Sequence, residues 1–197
     1  MIMELPLVVV NVQRGGPSTG LPTKTEQSDL MQAMYGRNGE SPVIVIAAST
    51  PANCFDFAFQ AAKLALEHMT PVILLTDGYI ANGSAPWKIQ SVDDLPEIKH
   101  RIKKDVVENW HPYNRDEKSL ARDWAIPGTP GLEHRVGGLE KDSVTGNVNQ
   151  SPENHEKMTK MRAEKVKRVQ NYIPEIKTEF ANSGDLLVIG WGGTYGS

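Results

Sequence analysis

Four short apolar runs stand out from a mixed background: LPLVVVNVQ (5–13), PVIVIAA (42–48), PVILLTD (71–77) and DLLVIGWG (185–192). Each is continuous rather than alternating and rich in Val, Ile and Leu. That pattern predicts strands covered on both faces, as in a parallel sheet. Between them apolar positions recur at helical spacing. Residues 25–36 place Leu30, Met31 and Met34 on one side, with Gly36 as a stop. Thr50 and Pro51 read as the cap and first turn of a second helix, whose Phe55, Phe59, Ala62 and Leu66 form the face toward the sheet. Ser151-Pro152-Glu153 repeats this start for a helix carrying Met158, Met161, Val166 and Val169. Pro174 should interrupt or kink that helix before residues 175–184 end it.

Strands alternating with helices predict an α/β fold, a largely parallel sheet flanked by helices. In such sheets ligands sit beyond the carboxyl ends of the strands. Arg14, Ser49-Thr50 and Asp77-Gly78 all stand there. Residues 79–150 break the pattern, with prolines at 86, 96, 112, 127 and 130 and little periodicity. Their aromatics, in NWHPYNRDE and WAIPGTPGLEHRVGGLEKD, predict an ordered excursion that serves as a lid or a subunit contact.

Composition narrows the function. The chain has 197 residues, 39% hydrophobic and 23% charged, with a formal net charge of −3. That balance gives no electrostatic footprint for nucleic acid. The basic run at 160–170 reads as a solvated helix face. Cys54 is the single cysteine, so an intramolecular disulfide framework and a cysteine-built zinc or iron–sulfur site in this chain alone are excluded. No apolar run reaches membrane-spanning length and no cleavable signal pattern precedes the first strand, so the expected setting is soluble, reducing and cytoplasmic. The chain enters a strand almost at once and stops just past another, which reads as a piece of a longer polypeptide.

The familiar catalytic motifs are absent. Gly15 and Gly20 have the separation of a phosphate-binding P-loop, but Leu21-Pro22 replace the lysine and hydroxyl that meet phosphate and magnesium. The glycines of GWGGTYG (190–196) lack the G-x-G-x-x-G spacing and read as a tight turn. His68, His100, His111, His134 and His155 form no metal-binding pair; His134 and His155 each sit next to a glutamate, a spacing that neither helix nor strand puts on one face. No G-x-S-x-G nucleophile elbow occurs.

What remains is the loop RGGPSTGLPTKT (14–25), directly after the first strand. Arg14 offers a fork of donors suited to a carboxylate or phosphate. Gly15 and Gly16 permit close backbone approach, and Ser18, Thr19 and Thr23 add hydroxyls. One arginine among glycines and hydroxyls suits a small anionic substrate better than a triphosphate. The competing reading is that Arg14 clamps the loop to a neighbouring carboxylate.

This loop, extended through QRGGPSTGLPTKTEQSDLMQAMYGRNGE, resembles the signature loop of the α subunit of 2-oxoacid:ferredoxin oxidoreductases, the 2-oxoglutarate type above all. The likeness continues through ASTPANCFDFAFQAAKLALEHMTPVILLTDGYIANG, WAIPGTPGLEHRVGGLEKD, PENHEKMTKMRAEKV and LLVIGWGGTYG, in order over essentially the whole chain. The resemblance implies oxidative decarboxylation of a 2-oxoacid with coenzyme A, giving an acyl-CoA, carbon dioxide and reduced ferredoxin. It implies thiamine diphosphate with magnesium and an iron–sulfur cluster, held mainly by a β subunit, in a hetero-oligomer without nucleic acid or membrane partners. It also implies a fold of thiamine enzymes: the C-terminal part of a pyrimidine-binding-like domain (1–90), a connecting, lid or subunit-contact segment (91–150), and a helix and first strand leading into a transketolase C-terminal-like domain (151–197).

Carried over by position, Arg14 matches the arginine that meets the 2-oxoacid carboxylate, and Thr23 a threonine near substrate or coenzyme A. Gly15, Gly16, Ser18 and Thr19 shape that pocket; Arg37, Ser49, Thr50, Asp77 and Gly78 are further candidates. The family's Y-P-I-T-P-type segment and the glutamate for the thiamine pyrimidine would both precede Met1. The chain therefore reads as a central fragment, inactive when isolated, binding no cofactor alone and prone to self-association. A pyruvate or branched-chain 2-oxoacid enzyme of the same superfamily, or a non-catalytic α/β docking module, are the alternatives.

Overall fold

The protein is described here by a computed structural model that covers residues 1–195. Three of the predicted strands form one parallel sheet: β1 (Leu7–Gln13), β2 (Ile44–Ala47) and β3 (Pro71–Asp77), in the order β1-β3-β2. Leu7 pairs with Pro71 and Ile44 with Val72; β1 and β3 end together at Gln13 and Asp77, and β2 stops at Ala47, opposite Leu75. Helix α2 (Cys54–His68) crosses from β2 to β3 and covers one face. The core there joins Ile44, Val72 and Leu74 of the sheet to Ala61, Leu64 and Ala65 of α2, with Val169 closing its edge. Two alanines bring the helix close to the strands, and they, not Phe55, Phe59, Ala62 and Leu66, define the buried face. Phe55 is instead exposed and stacks on Trp87, ring centres 5.1 Å apart.

Three other expectations are corrected. β1 is an edge strand, and Leu7, Val9 and Val10 are exposed rather than covered on both sides. Residues 185–191 form no strand, and Leu186, Leu187, Val188 and Ile189 are exposed. A strand needs a neighbour to take up its N–H and C=O groups, and none of the described strands lies beside this run. Residues 175–184 are likewise exposed and irregular, because the preceding helix α4 (Pro152–Arg168) gives way to a 3₁₀ turn at Val169–Tyr172 before Pro174. Gly196 of the closing glycine motif lies outside the described residues.

The start of α4 is as expected: Ser151 Oγ accepts from the Asn154 amide at 3.3 Å, and Pro152 occupies the first turn. Its basic run is not a solvated face throughout. Arg162 and Lys165 are buried, each against a carboxylate. Helix α1 (Leu30–Tyr35) buries Ala33 and leaves Met31 exposed, and the Gly36 amide closes it on the Gln32 carbonyl. α2 starts later than the sequence suggests, at Cys54; Thr50 Oγ1 accepts from the Asn53 amide at 3.2 Å in the turn before it.

A short α3 (Gly78–Asn82) follows β3 at once. The excursion beyond it is ordered, with a two-residue parallel pair, β4 (Ile102–Lys103) and β5 (Trp124–Ala125). Its centre is Tyr113, fully buried, with the Arg122 guanidinium 4.8 Å from the ring centre. A Cβ at Gly146, whose φ is +75°, would lie 2.5 Å from that ring, so glycine is required there. α4 packs on the sheet's core through Val166. No helix of the described residues is long and apolar enough to cross a membrane.

Candidate functional site

β1 ends at Gln13, and the chain turns into a loop closed by the Leu21 amide donating to the Gly15 carbonyl at 2.9 Å. Gly20, at φ +40°, makes the return; a Cβ there would sit 1.8 Å from the Gly15 oxygen. The loop opens onto a cavity of about 530 Å³ walled by Val12, Arg14, Gly16, Ser18, Thr19 and the Ser28-Asp29 pair. Arg14 is exposed to it, and its guanidinium takes part in none of the ion pairs among the described residues.

The carboxylate on the cavity wall is engaged by other groups. Asp29 Oδ2 accepts from Asn11 Nδ2 at 3.0 Å, and its Oδ1 from the Ser28 hydroxyl at 3.4 Å. Gln13, buried, holds the backbone beneath: its Oε1 accepts from the Asp29 amide at 3.0 Å and its Nε2 donates to the Thr76 carbonyl at 3.1 Å. Asn11 and Gln13 were missed as site residues. Their signal was available, since two amides alternate on one face of an otherwise apolar strand.

The predicted residues divide into two groups. Arg14, Gly16, Ser18 and Thr19 meet around the cavity, with Gly15 buried behind them. Thr23 is exposed and off the wall; the adjoining Pro22 carbonyl lies against Gly78, where a Cβ would come within 2.2 Å of it. Arg37 is committed elsewhere: it donates to the Ser41 hydroxyl and carbonyl at 3.1 and 2.8 Å, to the Met34 carbonyl at 2.7 Å, and to the Ala33 carbonyl. It fastens the end of α1 to the approach to β2. Ser49 and Thr50 amides both donate to Asn53 Oδ1 at 3.1 Å, which shapes the turn into α2.

Asp77 is fully buried and caps α3, its Oδ1 accepting from the Ile80 amide at 2.9 Å. Gln27 Nε2 reaches its other oxygen at 3.4 Å. The glycine turn Gly192–Thr194 packs on the same pair: a Cβ on Gly193 would lie 2.1 Å from Asp77 Oδ2. The closing glycines, read from the sequence as a simple turn, thus dock beside the strand ends. Glu26 adds a second carboxylate behind the loop, held below its usual range by hydrogen bonds from Ser28 and from the Gln27 amide. Cys54, with its thiol raised by burial and by Asp77, donates to the Thr50 carbonyl at 3.4 Å and serves packing. Among the described residues no group of three or more His, Cys, Asp and Glu is placed to hold a metal ion.

Comparison with known proteins adds to this geometry. Residues 1–167 match the family described as "Pyruvate flavodoxin/ferredoxin oxidoreductase, thiamine diP-bdg". The chain is 53% identical over all 197 residues to the 2-oxoglutarate oxidoreductase subunit KorA of Mycobacterium tuberculosis, of which it covers 30%. It is 34% identical over 195 residues to the 2-oxoglutarate synthase subunit KorA of Methanothermobacter thermautotrophicus, covering 96% of this chain and 49% of that one. A solved structure, the 2-oxoglutarate:ferredoxin oxidoreductase from Magnetococcus marinus with 2-oxoglutarate, coenzyme A and succinyl-CoA bound, matches with a TM-score of 0.86 and 36% identity. That match covers 98% of this chain and 33% of the other. The chain therefore spans between 30% and 49% of the length of these proteins.

Proposed function

The chain belongs to the pyruvate flavodoxin/ferredoxin oxidoreductase family, and from that premise we propose that it serves in the α subunit of a 2-oxoglutarate:ferredoxin oxidoreductase. In the reaction the bond between C1 and C2 of the 2-oxoacid breaks and C1 leaves as carbon dioxide. The S–H bond of coenzyme A breaks and a bond forms from C2 to its sulfur, the proton is released to solvent, and two electrons pass to ferredoxin. The observation that carries the reading is Arg14: a guanidinium in no ion pair among the described residues, on the wall of a cavity at the carboxyl end of a parallel sheet. The names of the relatives favour 2-oxoglutarate over pyruvate or a branched-chain acid.

In this reading Arg14 receives a carboxylate of the 2-oxoacid, and the Ser18 and Thr19 hydroxyls lie on the same wall to accept or donate around it. Asn11 holds the Asp29 carboxylate and Gln13 holds the Asp29 backbone amide, which fixes this part of the wall beside Arg14. The chain's contribution is positioning and charge compensation at a fixed place. When bound, thiamine diphosphate supplies the electron sink for the carbon–carbon cleavage. A wall with one arginine fits the carboxylate of the oxoacid; it does not fit a diphosphate with its magnesium. No described residue cluster suits that magnesium, and one cysteine does not ligate an iron–sulfur cluster. We assign both to a β partner, with thiamine diphosphate at the junction of the two subunits, coenzyme A as co-substrate, ferredoxin as acceptor and the cytoplasm as the setting. Residues 1–90 then form the C-terminal part of the pyrimidine-binding-like unit, 91–150 a connecting, lid or subunit-contact segment, and 151–197 the approach to a second domain.

The test is turnover by the full-length subunit co-expressed with its partner, across a panel of 2-oxoacids, with an artificial low-potential acceptor. Selective use of 2-oxoglutarate supports the proposal. Preference for another 2-oxoacid changes the substrate assignment alone. Absence of turnover from a cofactor-loaded complex sinks the enzymatic reading and leaves a docking module.

A further inference from the structure

The Arg14 cavity is walled by two legs of one loop: Arg14, Ser18 and Thr19 on the way out from β1, and Ser28-Asp29 on the way back to α1. The outgoing leg continues a strand of the sheet. The return leg lies outside every strand and helix, so side chains must hold it in place. Glu26 shapes it from within, its Oε1 accepting from the Gln27 and Ser28 amides at 2.9 and 2.8 Å. Two glutamines tie it to the sheet: Gln13 takes the Asp29 amide, and Gln27, next to the wall, reaches Asp77 at the end of β3. We infer that Gln27 is a positioning residue for this cavity, held in place by the glycine turn at 192–194, an assignment that rests on the reading of the cavity as the 2-oxoacid site.

Gln27 is clamped between a carboxylate and a turn. On one side lies Asp77, fully buried and fixed by its cap on the Ile80 amide. Gln27 Nε2 donates to its Oδ2 at 3.4 Å, too long to hold the side chain alone. That contact sets the direction of the amide, because a carboxylate accepts from the NH₂ group and repels the amide oxygen. On the other side lies Gly192, at φ +61°. A Cβ there would come within 2.8 Å of Gln27 Oε1, 3.0 Å of Nε2 and 3.3 Å of Cδ. The whole amide group therefore rests against glycine backbone and cannot swing that way.

Gly193 covers the other member of the pair in the same way: its Cβ would lie 2.1 Å from Asp77 Oδ2 and 3.2 Å from Oδ1. The turn thus seals Gln27 and Asp77 together, and Gln27 Oε1 is shut away from solvent without a donor among the described residues. A buried oxygen left unpaired favours opening to water, so the clamp lasts as long as the turn stays seated. The turn belongs to the chain beyond α4 and Gln27 to the loop after β1, so this contact makes each depend on the other. An acid that steadies Ser28-Asp29 in the cavity must, by linkage, steady the turn as well.

The test uses the full-length subunit in its complex, with Gln27→Ala, Gly192→Ala and the double variant. Each single change should raise KM for 2-oxoglutarate by roughly fivefold or more, with kcat within about twofold of wild type. The double variant should be no worse than Gln27→Ala, because both changes act through one side chain. Gly184→Ala, whose Cβ meets nothing nearer than 4.0 Å, should keep the wild-type KM. Hydrogen exchange gives a readout apart from turnover: bound 2-oxoglutarate should slow exchange over residues 191–195 in the wild type and not in Gln27→Ala. An unchanged KM in Gln27→Ala, independent penalties that multiply in the double variant, or a turn indifferent to bound 2-oxoglutarate overturns the assignment. If Arg14→Ala binds 2-oxoglutarate like wild type, the site reading itself has failed. Exchange over residues 26–29 without ligand then decides: faster in Gly192→Ala, the turn holds Gln27; equal to wild type, it does not.

Discussion

Glu4 and Lys165, 161 positions apart, form a buried ion pair in which Lys165 Nζ donates to Glu4 Oε2 at 2.6 Å. Arg115 grips the same carboxylate with two donors at 2.7 and 2.6 Å, and Lys165 also donates to the Met69 carbonyl at 3.0 Å. One carboxylate thus ties the lead-in to β1, the excursion and α4 to each other. Burial alone raises the Glu4 carboxyl, but Lys165 and Arg115 outweigh it and hold it at about 2. Burial also draws the Lys165 ammonium down, opposed by Glu4. The hydrogen bonds from Lys165 and Arg115 keep the Glu4 carboxylate ionised near neutral pH.

Replacing Glu4 by Gln leaves two buried cations without their counterion, so Glu4→Gln should cost roughly 3–5 kcal/mol at pH 7. The sign with pH follows from a depressed carboxyl. The contribution is fully present above about pH 4.5 and is lost as pH falls toward about 2. Urea unfolding of the two proteins at pH 7 and near pH 3 should show the gap narrowing on acidification. A gap that stays constant with pH would assign the loss to packing rather than charge.

This hub was illegible in the sequence for a physical reason. Helical spacing places Arg162 and Lys165 on a face, but whether that face is wet depends on distant carboxylates, Glu140 for Arg162 and Glu4, 161 positions away, for Lys165. Local rules served where the cause was local: the Ser151-Pro152 start, the Gly36 stop, and three strands whose Val and Ile content suits a central sheet. They failed where the outcome rests on neighbours. The run at 185–191 has strand composition and no described strand beside it, and α2 turns its alanines inward because the sheet is close. The loop at Arg14 was legible as a site because its glycines, hydroxyls and one cation sit together in the chain. Asn11 and Gln13 were legible too, as two amides alternating on one face of an otherwise apolar strand.

Arg14→Ala in the assembled enzyme should lower kcat/KM for the 2-oxoacid by about 2–4 kcal/mol, or roughly 30- to 1000-fold, mostly through KM. Arg14→Lys keeps the charge but loses the planar fork, so it should recover part of that loss and no more. Steady-state kinetics with both variants decides the matter. A KM and kcat within twofold of wild type for Arg14→Ala removes Arg14 from the site. The Asn11→Leu variant tests the wall differently: freed from its amide partner, Asp29 should turn toward Arg14 and raise KM with little change in kcat.

The glycine turn at 192–194 should tolerate no side chain against Asp77. Gly193→Ala brings a Cβ within 2.1 Å of a fully buried carboxylate oxygen that cannot swing away without abandoning its neighbours. Overpacking of this kind costs about 1–3 kcal/mol, read as a lower urea midpoint or as loss of amide protection over residues 191–195. Gly184→Ala is the matched control. A Cβ there meets nothing nearer than 4.0 Å, so its effect should stay within about 0.5 kcal/mol. Equal losses from the two variants would mean that the turn does not dock on Asp77.

His68 should set a separate acid limb, above the one due to Glu4. Burial lowers the imidazole from an ordinary 6.5 to about 4; Glu67 opposes this, while Lys165, Arg101 and Lys63 add to it. A group held neutral in the folded protein but free to protonate when unfolded favours folding above about pH 6.5. That contribution drains away as pH falls through about 4. Its full size is roughly 3 kcal/mol at about 1.4 kcal/mol per pKa unit. Comparing wild type with His68→Gln, which does not titrate, between pH 7.5 and 4 isolates it, because the Glu4 term is common to both. The wild type should lose stability with falling pH faster than the variant across this window. Parallel curves would mean that the imidazole is already as free to protonate in the folded state as in the unfolded one.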